Sequence, residues 1–407
     1  MIRKFLKNTI IREKYNKWIK NFLNWNLILV LLGQRRVWKT FIIFQFIKNL
    51  LDKKIFFENE IFYVNKEWLK FDEIKNYDDL KKYFFDWKEK NKVWEKFLIA
   101  IDEIQEIQDW EKFILWIWAE FPKSKIIISG SNSKLLSKDI STKLRWRYIE
   151  KTIYPLDFKE FCQFHNLDFS IESFNLFLQI WWLPELKNIL TIDSQIEYLK
   201  NLYNTIFVKD IQEYFAVKNI NLLQQIHKFL FSEVWNEISI WNIYKYLKNL
   251  NYKVWMETIW NYLNYSLNAF LFLKCERYDL KWKKILEWNN KYYVNDIWIK
   301  NAIVWYKDIW RILENLVYLY LVSNGYDVKI WKLYWKEIDF IAVKNGEKKY
   351  IQVSYLITNE EVKQREFWNL LKIKDNYEKI VVSMDLVKIW DYKWVKHLGI
   401  LDFFENY

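Results

Sequence analysis

Residues 27–40, LILVLLGQRRVWKT, constrain this chain more than any other stretch. The apolar run from Leu27 to Leu32 predicts a buried strand. Gly33 then opens a tight loop, Gln34-Arg35-Arg36-Val37, and Lys39-Thr40 begin a helix that continues FIIFQFIKNLL. This is the phosphate-binding pattern G-x-x-x-x-G-K-[ST] with one letter changed, because Trp38 stands where the second glycine belongs. In such a loop successive backbone N–H groups close around phosphate, and the following helix adds its positive end. The glycine before the lysine lets backbone approach phosphate in a conformation that other residues resist. An indole there would fill the space that phosphate needs. Taken literally, the loop is blocked.

Composition argues against the literal reading. The chain has 5 Gly and 26 Trp in 407 residues. Ordinary usage is about 7% Gly, or roughly 28 in a chain of this length, close to the two counts combined. The hypothesis is that UGA codons, glycine in the source organism's code, are written here as tryptophan. The alternative is a Trp-rich protein from a biased genome. Position favours the first: besides Trp38, residues Trp146, Trp288 and Trp298 sit where turns or close contacts want a small residue. Not every Trp need be recoded, and Trp110 can be genuine.

At this length two or three domains are expected. Hydrophobic content of 52% with mixed charge excludes a disordered chain. Net charge of +12 permits contact with nucleic acid or an anionic surface. Cys162 and Cys275 are far apart and show neither metal nor disulfide spacing, which fits a reducing cytoplasm. The basic N-terminus MIRKFLKNTI lacks a signal peptide's apolar core, and no apolar run is long enough to span a membrane. His165, His227 and His397 share no motif and read as surface or packed residues.

Along the chain, residues 1–25 read as a helix covering the edge of the first domain. Ile61 to Asn65 predicts a second strand. Phe97-Leu98-Ile99-Ala100-Ile101-Asp102-Glu103 is a buried parallel strand that delivers two acids to the sheet's C-terminal edge, where ligands sit in such sheets. In phosphate-loop enzymes the Asp helps hold Mg²⁺ while the loop Thr contributes its hydroxyl. That assigns Asp102 and Thr40 to Mg²⁺ and Glu103 to the attacking water. A third strand, Lys125 to Gly130, ends in Ser131-Asn132-Ser133, small polar residues suited to a γ-phosphate or a water. Leu144-Arg145-Trp146-Arg147 places two arginines before a further apolar segment. One of them can neutralise transition-state charge, in cis or across a subunit interface; a solvated basic turn is the plain alternative. Strands alternating with helices give an α/β domain with a mainly parallel sheet.

LLGQRRVWKT, FLIAIDEIQEI, IIISGSNSKLLS and LRWRYIEKTIYPLDFKEF, in this order, resemble a family of bacterial and archaeal AAA-type ATPases. That family carries a P-loop domain followed by a C-terminal domain. Its members typically read G-x-R-R-x-G-K and L-x-G-R where this chain has Trp38 and Trp146. The resemblance implies ATP and Mg²⁺ as cofactors.

Downstream, residues 158–230 read as helices interrupted by Trp181-Trp182-Leu183-Pro184-Glu185, a sensible turn if both tryptophans are glycine. Helices from Ser239 and Met256, then strands Phe270 to Glu276 and Lys291 to Val294, follow a winged-helix order. Such domains bind DNA or protein. Residues 307–395 read helix, strand, strand, helix, strand and resemble a restriction-endonuclease-like core. In active members a helix Glu, a strand Asp and an acid-x-Lys converge on Mg²⁺. Glu314 and Asp339 fit the first two places, whereas Gln352 and Ser354 replace the acid and the lysine, so this site reads as degenerate.

The expected architecture is therefore an α/β P-loop NTPase domain (1–160), a helical and winged-helix-like region (161–300) and an α/β restriction-endonuclease-like domain (301–407). The expected function is ATP binding and hydrolysis controlling a C-terminal interaction domain. Gly33, Gln34, Arg35, Arg36, Val37 and Trp38 would cradle phosphate and Lys39 would contact it. Thr40 and Asp102 would serve Mg²⁺, and Glu103 and Arg147 would be catalytic. The alternatives are a DNA-binding ATPase with a degenerate nuclease-like domain, or a dead P-loop scaffold if Trp38 is real. Partners are ATP, then DNA or protein through the C-terminal half, and a second copy of the chain.

Overall fold

The structure, a computed structural model, describes residues 11–132, 144, 146–179, 189, 191–234, 236–279, 284–304, 309–333, 336–357, 359–385 and 391–407. They form two compact units, divided between Tyr154 and Pro155.

The first unit is built on five parallel strands: β1 (Ile28–Leu32), β2 (Ile61–Asn65), β3 (Leu98–Asp102), β4 (Lys125–Gly130) and β5 (Tyr148–Thr152), in the order β2-β3-β4-β1-β5. Every residue of β1 and β3 is buried. Continuous apolar runs are what a parallel sheet covered on both faces requires. On one face, α1 (Glu13–Phe22) and α2 (Lys39–Asp52) bury Tyr15, Ile19, Ile43 and Ile47 over Leu29, Leu31 and Leu98. On the other, α3 (Tyr77–Asn91) and α4 (Trp110–Glu120) enclose an aromatic cluster in which Phe84 meets Phe62, Phe97 and Phe113 at 5.4–5.6 Å. Asn76 caps α3 through the backbone N–H groups of Asp78 and Asp79. The expected N-terminal helix is present from Glu13; residues 1–10 lie outside the described residues.

The second unit starts with helices α5 (Phe158–His165), α6 (Ile171–Gln179) and α7 (Ile192–Thr205), the last continuing as a π-helical stretch, Ile206–Glu213. Next come α8 (Ile220–Ser232), β6 (Glu237–Ile238), α9 (Ile240–Asn249), α10 (Met256–Asn268), β7 (Phe272–Asp279) and β8 (Lys284–Val294). Ser239 and Asn242 form a capping box that starts α9. After α11 (Ile297–Ile303) and α12 (Ile309–Ser323) come β9 (Asp327–Leu333), β10 (Lys336–Lys344), β11 (Glu347–Val353), α13 (Glu360–Leu371), β12 (Glu378–Ser383), β13 (Lys396–Gly399) and α14 (Ile400–Asn406). These strands join in one eight-stranded sheet, β13-β12-β11-β10-β9-β7-β8-β6. The β7–β9 pair, Arg277 beside Ile330, links the hairpin to the C-terminal strands. α14 returns to the start of the unit, where Phe404 packs on Phe158 and Phe174.

Strand β9 is a difference from the expected order. Val328 and Ile330 are buried while Lys329 alternates between them. The segment is short and its lysines dilute the alternation, so only its pairing with β10 defines it. The Trp181-Trp182 turn and the Ser133 end of the β4 loop lie outside the described residues. No helix among the described residues is long and apolar enough to cross a membrane.

Candidate nucleotide site

The loop between β1 and α2 has the backbone that its pattern demands. Gly33 has φ +146°, and a Cβ there would lie 2.3 Å from the Ile153 carbonyl oxygen. Only glycine fits. Trp38 is the residue before α2 and adopts φ 71°, ψ 30°, the left-handed region. An L-residue is strained in that region, and a β-carbon costs about 1–2 kcal/mol there. Its indole is 6% exposed and packs on Phe41 with ring centroids 5.2 Å apart. Arg36 is also left-handed, with φ 69°. The loop is braced from outside by buried Arg12, whose Nη1 donates to the Val37 carbonyl at 3.1 Å and the Tyr154 carbonyl at 2.9 Å.

Lys39 is buried, and its Nζ donates to the carbonyls of Gly33 (2.8 Å) and Gln34 (3.0 Å) and lies 3.3 Å from Glu103 Oε1. The β3 strand ends on Asp102 at the sheet's C-terminal edge, beside the loop. Thr40 Oγ1 donates to Asp102 Oδ2, and Ser129 Oγ, from β4, donates to Oδ1. Asn65, the last residue of β2, donates to Asp102 Oδ2 at 3.2 Å. Glu103 takes a left-handed backbone, φ 53°, turning its carboxylate towards Lys39. Gln105 Nε2 donates to Glu103 Oε2 at 2.6 Å and to Ser131 Oγ at 3.3 Å. Arg35 pairs with Glu67 at 2.7 Å.

The two acids are driven apart electrostatically. Burial raises Asp102 above the usual carboxylate range, and the charge of Glu103 adds to this against the Ser129 and Thr40 hydrogen bonds. Burial also works against an ionised Glu103, but the Lys39 ammonium and the Arg35 guanidinium outweigh it and hold Glu103 below the usual range.

The structure thus gathers Gly33 to Thr40, Asp102 and Glu103 at one edge. It does not bring Arg147 there. The Arg147 carbonyl accepts from Ile28 N–H at the start of β1, and its guanidinium lies 4.2 Å over the Trp118 ring. Four residue steps of strand, about 13 Å, separate that level from the loop. A cis arginine role is therefore not supplied by Arg147 of the same chain. Arg12, Asn65, Gln105 and Glu67, the ion-pair partner of Arg35, are neighbours of the site that sequence reasoning passed over. Asn65 carried a signal, since it ends a strand at the same edge as Asp102. Of the other tryptophans, Trp146 is left-handed (φ 62°) and 79% exposed. Trp298 instead lies in α11 without a positive φ, and Trp288 falls within β8.

The three histidines behave as packed residues. His227 is buried between Tyr203 and Ser266, His397 contacts Ser383, and His165 lies against Phe161. Among the described residues no cluster of His, Cys, Asp and Glu could hold a metal by itself.

A family described as an AAA domain matches residues 26–162, the region that carries this site. An uncharacterized protein of Haemophilus influenzae is 32% identical over 382 residues, covering 93% of this chain and 94% of that protein. The chain belongs to this AAA-domain family. An uncharacterized protein of Methanocaldococcus jannaschii is 31% identical to this AAA protein over 381 residues, covering 89% and 80% of the two chains. The Walker-type ATPase PABY2304 of Pyrococcus abyssi shares the fold, with TM-score 0.51 and 17% identity over 72% of this chain and 95% of that one. The first unit is an α/β P-loop NTPase fold, and it carries the AAA domain of the family.

Proposed function

We propose that this AAA protein hydrolyses ATP at the β1–α2 loop and that its nucleotide state controls the second unit as an interaction body. One observation carries the reading: Lys39, Thr40, Asp102 and Glu103 converge from two elements at one sheet edge. The donor set fits nucleotide and Mg²⁺. Backbone N–H groups of residues 33–38 would cradle phosphate and Lys39 would contact its outer oxygens. Thr40 and Asp102 would hold Mg²⁺, which when bound supplies charge neutralisation to the phosphates. Glu103, kept ionised, would orient and deprotonate water. Arg147 would act only in trans, from a second copy. The two buried free cysteines suit a reducing cytoplasm.

The reading includes glycine at position 38. The left-handed backbone of Trp38 supports it, as do the left-handed Trp146 and the exposed Trp94, Trp255 and Trp394. ATP turnover by Trp38→Gly, about 100-fold lower in Trp38→Gly/Glu103→Gln, is the expected result. Equal turnover in both would sink the assignment of Glu103.

A second reading adds DNA binding. The order α8, β6, α9, α10, β7, β8, with β6 paired to β8 through Ile238 and Asn290, favours a winged helix across 161–300. The helix α12, the meander β9-β10-β11, helix α13 and the parallel β12 favour a restriction-endonuclease-like core across 301–407. Fluorescence anisotropy with a labelled duplex tests this. Binding that weakens steeply with salt is expected from it, and no binding at low salt would remove it.

A further inference from the structure

Lys291, on β8, is 4% exposed. Its ammonium lies among three carboxylates: 2.9 Å from Glu314 Oε1 on α12, and 2.6 Å from Glu337 Oε1 and 3.8 Å from Asp339 Oδ1 on β10. Tyr293, two residues along β8, donates to the same Glu314 oxygen at 2.6 Å. The second oxygen of Asp339 accepts the Val353 N–H at 2.8 Å. Gln352 sits opposite Asp339, one step beyond the Phe340–Ile351 pair, and its Oε1 is buried with no hydrogen-bond donor. Its Nε2 donates to Glu366 at 3.1 Å.

Carboxylates buried together need a counter-charge, because an uncompensated buried charge costs several kcal/mol. Oxygen clusters of this kind commonly hold a divalent ion, which for Mg²⁺ must come within about 2.1 Å of its ligands. Here one ammonium already touches two of the acids and approaches the third. It fills the space between them, and its charge opposes a second cation. Ser354, the residue that follows β11, brings no charge of its own.

We infer that Lys291 is the resident cation of this cluster in place of a divalent metal, and that its removal uncovers a metal site on Glu314, Asp339 and Gln352. The second unit as it stands then carries no metal-dependent hydrolytic centre at these residues. The lysine from the β7–β8 hairpin instead ties that hairpin to α12 and β10. This inference concerns the second unit alone and is independent of ATP binding.

The test is Mn²⁺ binding by the full chain without nucleotide, in an Asp102→Asn background that removes the first unit's metal candidate. Calorimetry and the electron paramagnetic resonance of free Mn²⁺ read it. With Lys291 present, no Mn²⁺ binding that depends on Glu314 is expected. In Lys291→Met one Mn²⁺ should bind at least tenfold tighter, raise the thermal midpoint, and be lost again in Lys291→Met/Glu314→Gln. If Lys291→Met does not fold, Lys291→Met/Glu337→Gln removes one acid with the lysine, keeps Glu314 and Asp339, and should bind Mn²⁺ in the same way. Mn²⁺ bound by the Lys291 protein and lost on Glu314→Gln would overturn the inference. So would a folded Lys291 variant, single or double, that binds none.

Discussion

The Lys39 ammonium lies 3.3 Å from Glu103 Oε1 while donating to the carbonyls of Gly33 and Gln34. The lysine that should meet phosphate is engaged by its own loop, and the acid that should meet water is held ionised by that lysine. Phosphate arriving in the loop competes for the same ammonium. Its success would loosen Glu103, coupling occupancy of the loop to the freedom of the base.

Gln105 is then a positioning residue, bridging Glu103 and Ser131. A hydrogen bond to a charged group contributes about 1.5–3 kcal/mol. In a Trp38→Gly background, Gln105→Ala should lower kcat about tenfold or more and leave the ATP Kd unchanged. An equal loss in Kd would mean that Gln105 merely supports the fold.

Gly33→Ala places a Cβ 2.3 Å from the Ile153 carbonyl oxygen in a backbone region closed to side chains. A cost of about 2–4 kcal/mol is expected from strain and the clash together. Chemical denaturation of the two proteins measures it, and an unchanged midpoint would contradict the loop geometry.

His227 supplies a pH prediction. Burial lowers it from 6.5 to about 3, with Tyr203 on Nδ1 at 2.9 Å and Ser266 on Nε2 at 2.7 Å. The unfolded chain binds a proton below about pH 6.5 that the folded chain refuses. Stability from this group is therefore complete above pH 6.5 and falls on acidification towards pH 3, by about 1.4 kcal/mol per unit. His227→Gln should flatten that part of the stability–pH profile. An unchanged slope would show that other groups dominate it.

Peptide mass spectrometry on the protein from its own cells, covering residues 27–47, should find glycine at position 38. Tryptophan there would mean that the left-handed turn carries a bulky side chain and that the loop is obstructed.

The phosphate loop and the acids of β3 were legible because their signals are local: an apolar run, a glycine, Lys-Thr, and two carboxylates ending a buried strand. Arg147 was less so, because the level at which it enters the sheet depends on the β1–β5 register, not on its neighbours in sequence. Arg12 and Asn65 act through contacts made across 25 and 37 residues. The cluster around Lys291 was half legible: Glu314 and Asp339 were singled out, but the cation came from a different strand, β8, which only the folded sheet brings alongside. Trp38 was legible as an anomaly in a pattern, and its left-handed backbone gives that anomaly a physical content.

The central claim is that this loop, with glycine at position 38, binds ATP through Lys39. Calorimetric titration of ATP–Mg²⁺ into the Trp38→Gly protein and into Trp38→Gly/Lys39→Ala tests it most directly. The account predicts binding by the first and a loss of about ten- to a hundredfold in the second, the value of a charge-assisted contact. No binding by Trp38→Gly, or equal binding by both, would contradict it.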